Sequence, residues 1–546
     1  SGGGPPPGGG GGAAGPGPAL RGRPRWAPPA DAPLTAVARG GATNMVGAVV
    51  YGASNFLVLV VLNRALGVDD AGVVVVAIAL FNLVAVITGL GCTTGLVRTI
   101  SRLRALDEPE RIPATIRVAL RPVTAVSVVA AVLVAVTAPA LAEVLADGDT
   151  VAEVASVLRA MAVFLPAAAV HTVVIQGTRG FDTMRPLVFI ERIGRAVALP
   201  LVVGLAAALD TGPRGAGVAW AATNAVALVF SLRALRRRVD GAVARSGRAA
   251  VPVDAAFRRA YWRFTAPRAV GQASEVAVNW SDTIIVSALV STTAAGIYAS
   301  GTRYLLPGLF AAEALMQVTG PRISGLLARH RPGEASGLIK VVAGWQVAVM
   351  WPIYTLIAVF PTPLLRIFGP EVVEARGALV ALSIAMLVAS PVGPAASAIL
   401  MAGRSRQAMA NTLAVLAINL VGNLVFVPRH GITAAGVVWG VTIVVAATLP
   451  GWQCRRLGVS TIGRPALTAA ALSTATVGLA ALAGRLALGD TTAGLLAAGS
   501  VGAAGYVVGL RMARSPLHLQ VLRAGVRRPG PHRNRPEPDE EHQGTA

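Results

Sequence analysis

The stretch RGGATNMVGAVVYGASNFLVLVVLNRALGVDDAG, residues 39–72, returns without a gap 224 positions later as RFTAPRAVGQASEVAVNWSDTIIVSALVSTTAAG, residues 263–296. Arg39 falls on Arg263, Val46 and Gly47 on Val270 and Gly271, Asn55 on Asn279, and Ala71-Gly72 on Ala295-Gly296. Arg98 then falls on Arg322. With small slips, Pro166, Arg179 and Met184 answer Pro391, Arg404 and Met409, and GAGVAWAAT (215–223) answers AAGVVWGVT (434–442). Each copy holds an apolar run of membrane-crossing length, a short turn and the start of a second run. The chain therefore reads as a duplicated set of membrane helices, an arrangement that lets two bundles rock about a shared central site.

Composition agrees. Hydrophobic residues make up 54% of the 546 residues and charged residues only 14%, where a soluble domain carries roughly a quarter; mean hydropathy is +0.64. The net charge of +22 sits mostly at the ends of apolar runs, as the positive-inside rule requires, and does not imply a nucleic-acid partner. Lys340 is the one lysine, so the basic residues are arginines. Cys92 and Cys454, with no CxxC, form no disulfide framework and no metal site. No signal-peptide pattern is visible at the start.

The expected fold is all-α and polytopic, with spans near 36–63, 71–95, 117–138, 153–175, 187–209, 214–234, 265–289, 293–318, 338–360, 375–401, 408–427, 432–453, 465–486 and 491–511. Segments 97–121, 176–186, 233–263, 322–340, 403–407 and 454–464 are rich in Arg. The alternate loops are short or acidic, notably 139–153 with Glu143, Asp147, Asp149 and Glu153. This pattern places both termini in the cytoplasm. The expected organisation is a Gly/Pro-rich disordered tail (1–33), a first six-helix lobe (34–234), a basic linker (235–263), a second lobe (264–453), two extra helices (465–511) and a second disordered tail (512–546). An even number of spans per lobe gives both copies one orientation, a parallel repeat about an axis along the membrane normal.

The seventh span carries Arg268, Gln272, Glu275, Asn279 and Asp282 at spacings of 4, 3, 4 and 3, one face of a helix. Arg268, Glu275 and Asn279 have Asn44, Tyr51 and Asn55 as their images in the first span. Two matched polar stripes read as the walls of a cleft, because an unpaired acid facing lipid costs a few kcal/mol; the competing reading is hydrogen bonding between helices. Glu275, roughly 18 Å from Arg263 along the helix, falls near mid-membrane and is a candidate for proton or ion coupling, with Asp282 as a second. A static ion pair, for example Glu275 with Arg303, is the plainer alternative. In the fifth span VFIERIGRAV places Arg192 and Arg195 on one α-helical face and Glu191 within i,i+4 reach of Arg195. Guanidinium groups there suit phosphate oxygens, or else snorkel to headgroups. Arg303, Glu313 and Gln317 mark the eighth span, and His171 reads as a hydrogen-bonded packing residue. Pro166, Pro200, Pro307, Pro391 and Pro394 mark expected bends.

The opening stretch continued to GVVVVA, GLVRTISR, and the second copy NWSDTIIVSALVSTTAAGIYASGTRYL resemble bacterial lipid-linked oligosaccharide flippases. These form the polysaccharide-export (Wzx-type) branch of the multidrug/oligosaccharidyl-lipid/polysaccharide exporter superfamily, and the resemblance spans about residues 36–511. It implies a carrier, not an enzyme and without cofactor or metal, in the bacterial plasma membrane. Its cargo would be an undecaprenyl-pyrophosphate-linked oligosaccharide, moved from inner to outer leaflet by alternating access for polysaccharide polymerases and glycosyltransferases. Arg192, Arg195, Arg268 and Arg303 would hold the pyrophosphate, in a cavity with Asn44, Tyr51, Asn55, Gln272 and Asn279. The alternatives are a cationic-drug efflux antiporter of the same superfamily and a lipid-linked peptidoglycan-precursor flippase. A membrane glycosyltransferase fits poorly, because the loops are short and the linker has no DxD.

Overall fold

The computed structural model describes residues 34–148, 150–306, 331–401, 404–456 and 458–513, with Gly2, Leu517 and scattered positions between 308 and 326; within 34–46 only the backbone is described. The tails expected to be disordered, and Pro307, Glu313 and Gln317, therefore lie outside the described residues. All regular structure among the described residues is helical, as a lipid environment dictates, since a helix satisfies its backbone polar groups internally. That constraint overrides the β-preference of a run such as VVVVAIAL (73–80).

The N-terminal half contains α1 (Leu34–Ala65), α2 (Val68–Thr88), α3 (Cys92–Ala105), α4 (Ile112–Leu145), α5 (Thr150–Ala162) and α6 (Leu165–Gly177), then a π-helix (Leu187–Arg195), α7 (Ala196–Ala208) and α8 (Gly212–Ser246). The C-terminal half contains α9 (Ala255–Leu289), α10 (Thr292–Thr302), α11 (Pro332–Val359), α12 (Arg376–Ala389), α13 (Pro394–Met401) and α14 (Ser405–Arg455). Two further helical stretches follow, α15 (Arg464–Ser473), which runs through a π-turn into α16 (Leu479–Leu488), and α17 (Thr492–Met512). Among the described residues nine helices are long and apolar enough to cross a membrane, ten with α5–α6 counted as one span bent by 49°. Three expected spans are not among these: the π-helix with α7, which carries Glu191, Arg192 and Arg195, α9, which is too polar, and α10, whose described part is too short, while α14 covers two expected spans as one helix. An exposed band on α4 (Val126, Val129, Val132, Leu133, Val136) suits contact with lipid tails.

The prolines act differently. The α5–α6 bend falls just before Pro166, and α12 ends at Ala389 with α13 starting at Pro394. Pro200 sits inside α7 without interrupting it. Lacking an N–H, Pro200 strands the carbonyl four residues earlier, and the Ser54 hydroxyl of α1 donates to that carbonyl, on Ala196. The defect in one helix thus becomes the dock for another. In α14, Gly431 at φ 58° makes the sharp turn that divides the helix in two.

Residues 224 apart in sequence touch one another at the α1–α2 and α9–α10 turns. Gly72 and Gly296 are so close that a Cβ on either would strike backbone of the other helix, a contact open only to glycine. Beside them the Thr293 hydroxyl donates to Asp69 Oδ1 at 2.6 Å. Such i to i+224 pairing is what an approximate two-fold axis between two repeats produces. The same end is tied by Ser287 Oγ donating to the Leu145 carbonyl and by Arg64 donating to the carbonyls of Arg366 and Ile367. At the opposite end α3 and α9 interlock. Gly91, at φ 71°, and Gly95 leave room for Thr265 and Ala269, Gln272 donates to Thr93 and Thr94, and the Arg98 guanidinium lies 3.9 Å over the Phe264 ring. The two contact zones flank the middle of α2.

Candidate functional site

Between those zones lies a cavity of about 220 Å³. Tyr51 and Asn55 come from α1, Phe81 and Asn82 from α2, His171 from α6, Glu191 and Arg195 from the π-helix, Trp220 and Asn224 from α8, Trp280 from α9, and Arg303 from the turn after α10. The N-terminal half thus supplies most of the wall, and the C-terminal half adds a tryptophan and an arginine.

The π-helix decides which charges face inward. A π-turn holds more residues than an α-turn, with i→i+5 bonding, so i and i+4 come close to eclipsing. Glu191 and Arg195 are such a pair, and Glu191 Oε1 accepts from Arg195 Nη1 at 2.8 Å. Arg192 turns away and packs against Gly47 of α1; it does not line the cavity. The expectation that Arg192 and Arg195 share a face is corrected on this ground, since it assumed α-helical winding.

Glu191 also joins a chain of hydrogen bonds. Its Oε2 lies 2.7 Å from His171 Nε2, and the other ring nitrogen, Nδ1, lies 3.0 Å from Ser231 Oγ. Arg195 Nε donates to Thr223 Oγ1 at 3.2 Å, and that hydroxyl donates to the Trp220 carbonyl. The His171 and Arg195 side chains are only 3% and 9% exposed. Burial of a charge pair is tolerable only when every member is bonded, and here each is.

Arg303 is the counterpart from the other half. It occupies the 3₁₀ turn Arg303–Leu305, which is pinned by Tyr304 donating to the Leu364 carbonyl at 2.6 Å and Tyr354 donating to the Leu305 carbonyl at 2.7 Å. Its Nε is buried without a hydrogen-bond partner. Each arginine stacks on a cavity tryptophan, Arg195 over Trp220 and Arg303 over Trp280, both at 5.6 Å to the ring centroid. Asn55, Asn82 and Asn224 each donate one bond to their own helix backbone, which leaves the rest of each amide's capacity for a guest. Two guanidinium groups, two indoles and three amides can bind an anionic group and an adjoining polyhydroxylated ring.

The other expected site residues lie elsewhere. Arg268, Glu275 and Asn279 are exposed and do not line the cavity. Gln272 is engaged with α3. Asp282 is buried in a separate network, where it accepts from Tyr298 at 3.2 Å and from Asn423 at 2.9 Å. The α9 stripe therefore meets α3 at one end and α10 and α14 at the other, and its middle bypasses the cavity. Asn44 lies outside the described side chains. Sequence reasoning missed Trp220, Trp280, Asn82 and Asn224 as site residues, and it left His171 a packing residue although it joins the Glu191 network. The repeat match of Trp220 with Trp439 was the one available signal. Among the described residues no cluster of His, Cys, Asp and Glu could hold a metal ion.

A sequence profile described as polysaccharide biosynthesis protein matches residues 37–327. No curated protein matches the chain. Among solved structures, the lipid II flippase MurJ in its inward closed conformation superposes with a TM-score of 0.67 at 9% identity, over 88% of this chain and 100% of the other. An inward-facing multidrug resistance MATE transporter of the MOP superfamily superposes with a TM-score of 0.56 at 13% identity, over 75% of this chain and 98% of the other. A mutant of a Vibrio cholerae MATE transporter gives 0.53 at 16%, over 78% and 96%. At such identities the likeness concerns the fold. The profile match reaches beyond the fold: this multi-pass membrane protein, built on the fold of the MOP-superfamily transporters, belongs to the polysaccharide biosynthesis protein family.

Proposed function

We propose that the chain flips an undecaprenyl-pyrophosphate-linked oligosaccharide from the inner to the outer leaflet of the bacterial plasma membrane by alternating access, for cell-surface polysaccharide synthesis. The carrying observation is the pair Arg195 and Arg303, one from each half, facing a single mid-bundle cavity beside Trp220, Trp280 and three asparagines. A phosphate that meets both guanidinium groups ties the halves together, and the indoles and amides suit the first sugar. The cavity volume, about 220 Å³, lies below the usual range for sites that swallow a whole drug-sized ligand, so this state suits a headgroup and the longer glycan requires opening.

Movement follows from where the halves touch. The Gly72–Gly296 contact closes one end and the α3–α9 interlock the other, so releasing them in alternation exposes the cavity to each side in turn. On the reading that both termini are cytoplasmic, which the arginine-rich loops support, the glycine contact lies on the outer side. Polymerases and glycosyltransferases of the same glycolipid are the expected partners. A cationic drug fits the lining less well, since the one carboxylate there among the described residues, Glu191, is already held by Arg195 and His171.

The test is leaflet-resolved accumulation of undecaprenyl-pyrophosphate sugars in a strain depleted of the protein. Build-up on the cytoplasmic side, cleared by wild type and not by Arg195→Ala, is expected. A normal glycolipid pool on depletion, with altered drug tolerance, overturns the reading.

A further inference from the structure

We propose that Glu191 is a built-in stand-in for the cargo's phosphate: it occupies Arg195 while the cavity is empty, and the phosphate displaces it on binding. The inference rests on the flippase reading and names a regulation of that same site.

The two cavity arginines differ in one respect. Arg195 is already engaged through two nitrogens, with Nη1 on Glu191 at 2.8 Å and Nε on Thr223 at 3.2 Å. Arg303 keeps a buried Nε without a partner. A phosphate that meets both must therefore take Arg195 from a carboxylate already seated on it. Carboxylate and phosphate present the same kind of paired oxygens to a guanidinium and compete for one set of donors. The displaced carboxylate is not left bare, because its second oxygen stays on His171, which Ser231 holds from behind. Among the described residues no other acid lines the cavity; the polar and aromatic groups that line it with Glu191 and Arg195 are Tyr51, Asn55, Phe81, Asn82, His171, Thr172, Trp220, Asn224, Trp280 and Arg303.

The consequence concerns the return step. A carrier that flips cargo one way must reorient empty, and a buried unpaired cation opposes any step that encloses it. Glu191 neutralises Arg195 on the empty return, and the phosphate does so on the loaded passage. Removing the carboxylate charge should make cargo bind more tightly and slow the empty return. Exchange of bound for free cargo needs no empty return and should suffer less.

The experiment uses the full chain, purified and in proteoliposomes, with inorganic pyrophosphate as binding probe and fluorescent undecaprenyl-pyrophosphoryl-N-acetylglucosamine as transport probe. Glu191→Gln should bind pyrophosphate about tenfold tighter and lower the ratio of net flipping to exchange by about tenfold. Glu191→Asp keeps the charge on a shorter arm and should fall between, with pyrophosphate binding about threefold tighter; it carries the test alone if the glutamine variant does not fold. Unchanged or weaker pyrophosphate binding, with net flipping and exchange lost equally, makes Glu191 a mere positioning partner of Arg195 and overturns the proposal. If wild type flips the probe lipid normally and both variants match it, the stand-in falls and the flippase reading stands. If wild type neither binds pyrophosphate nor flips the lipid, both fall.

Discussion

Trp220 and Trp439 occupy matching places in the repeated GAGVAWAAT and AAGVVWGVT segments, yet their neighbourhoods have diverged. Around Trp220 lie Arg195, Glu191 and His171, polar and turned to the cavity. Trp439 lies 6.5 Å from the Tyr298 ring, whose hydroxyl donates to Asp282 in a network enclosed by α9, α10 and α14. One half turns its buried polar groups towards a cavity, and the other uses them to hold helices together. The two halves meet at Gly72 and Gly296, 224 residues apart, while their interiors differ in chemistry. The charge that the C-terminal half still contributes is Arg303, at the boundary between the halves.

The largest expected effect comes from breaking the site. Arg195→Ala with Arg303→Ala should lower flipping by about a hundredfold or more, measured with a fluorescent lipid-linked sugar, because each removes a charge-assisted contact to the phosphate. Next comes the shared frame. Gly72→Ala should cost about 1–3 kcal/mol in thermal unfolding or force the halves apart, since its Cβ meets backbone that cannot move. Gly204→Ala, where a Cβ meets only Val61 at ordinary contact distance, should be neutral or stabilising by about 0.5 kcal/mol.

The third effect sharpens the contrast between the two tryptophans. Asp282→Asn turns an acceptor into a partial donor facing Tyr298 and Asn423, and should cost about 1–3 kcal/mol of stability. Pyrophosphate affinity should stay within about twofold, because the network does not reach the cavity. A larger affinity loss would join the two regions that the structure separates. Smaller still, Gln272→Ala removes the bonds to Thr93 and Thr94 and should cost about 0.5–1.5 kcal/mol in the melting transition. Arg268→Ala and Glu275→Gln, outside the cavity, should change flipping by no more than about twofold.

The all-helical membrane architecture was legible in residues 39–72 and 263–296 because runs of membrane-crossing length leave strong marks in sequence. Of the residues singled out in the sequence, Arg195, Arg303, Tyr51 and Asn55 line one cavity, and the Glu191–Arg195 pair forms at its i,i+4 spacing. Spacing gives the angle of a residue around its own helix and says nothing of which neighbour occupies that angle. Gln272, Glu275 and Asp282 share a face of α9 and meet α3, open surface and α14 in turn. Arg192 was misplaced because π-winding leaves no signature in the residues themselves. The link from His171 to Glu191 crosses 20 residues and two elements, a distance that no local pattern spans.

The most direct measurement is flipping of fluorescent undecaprenyl-pyrophosphoryl-N-acetylglucosamine in proteoliposomes holding wild type or Arg195→Ala/Arg303→Ala, with efflux of a cationic dye followed in parallel. The account predicts flipping by wild type, its loss in the double variant and dye efflux by neither. Dye efflux by wild type without lipid flipping, or undiminished flipping without both arginines, would contradict it.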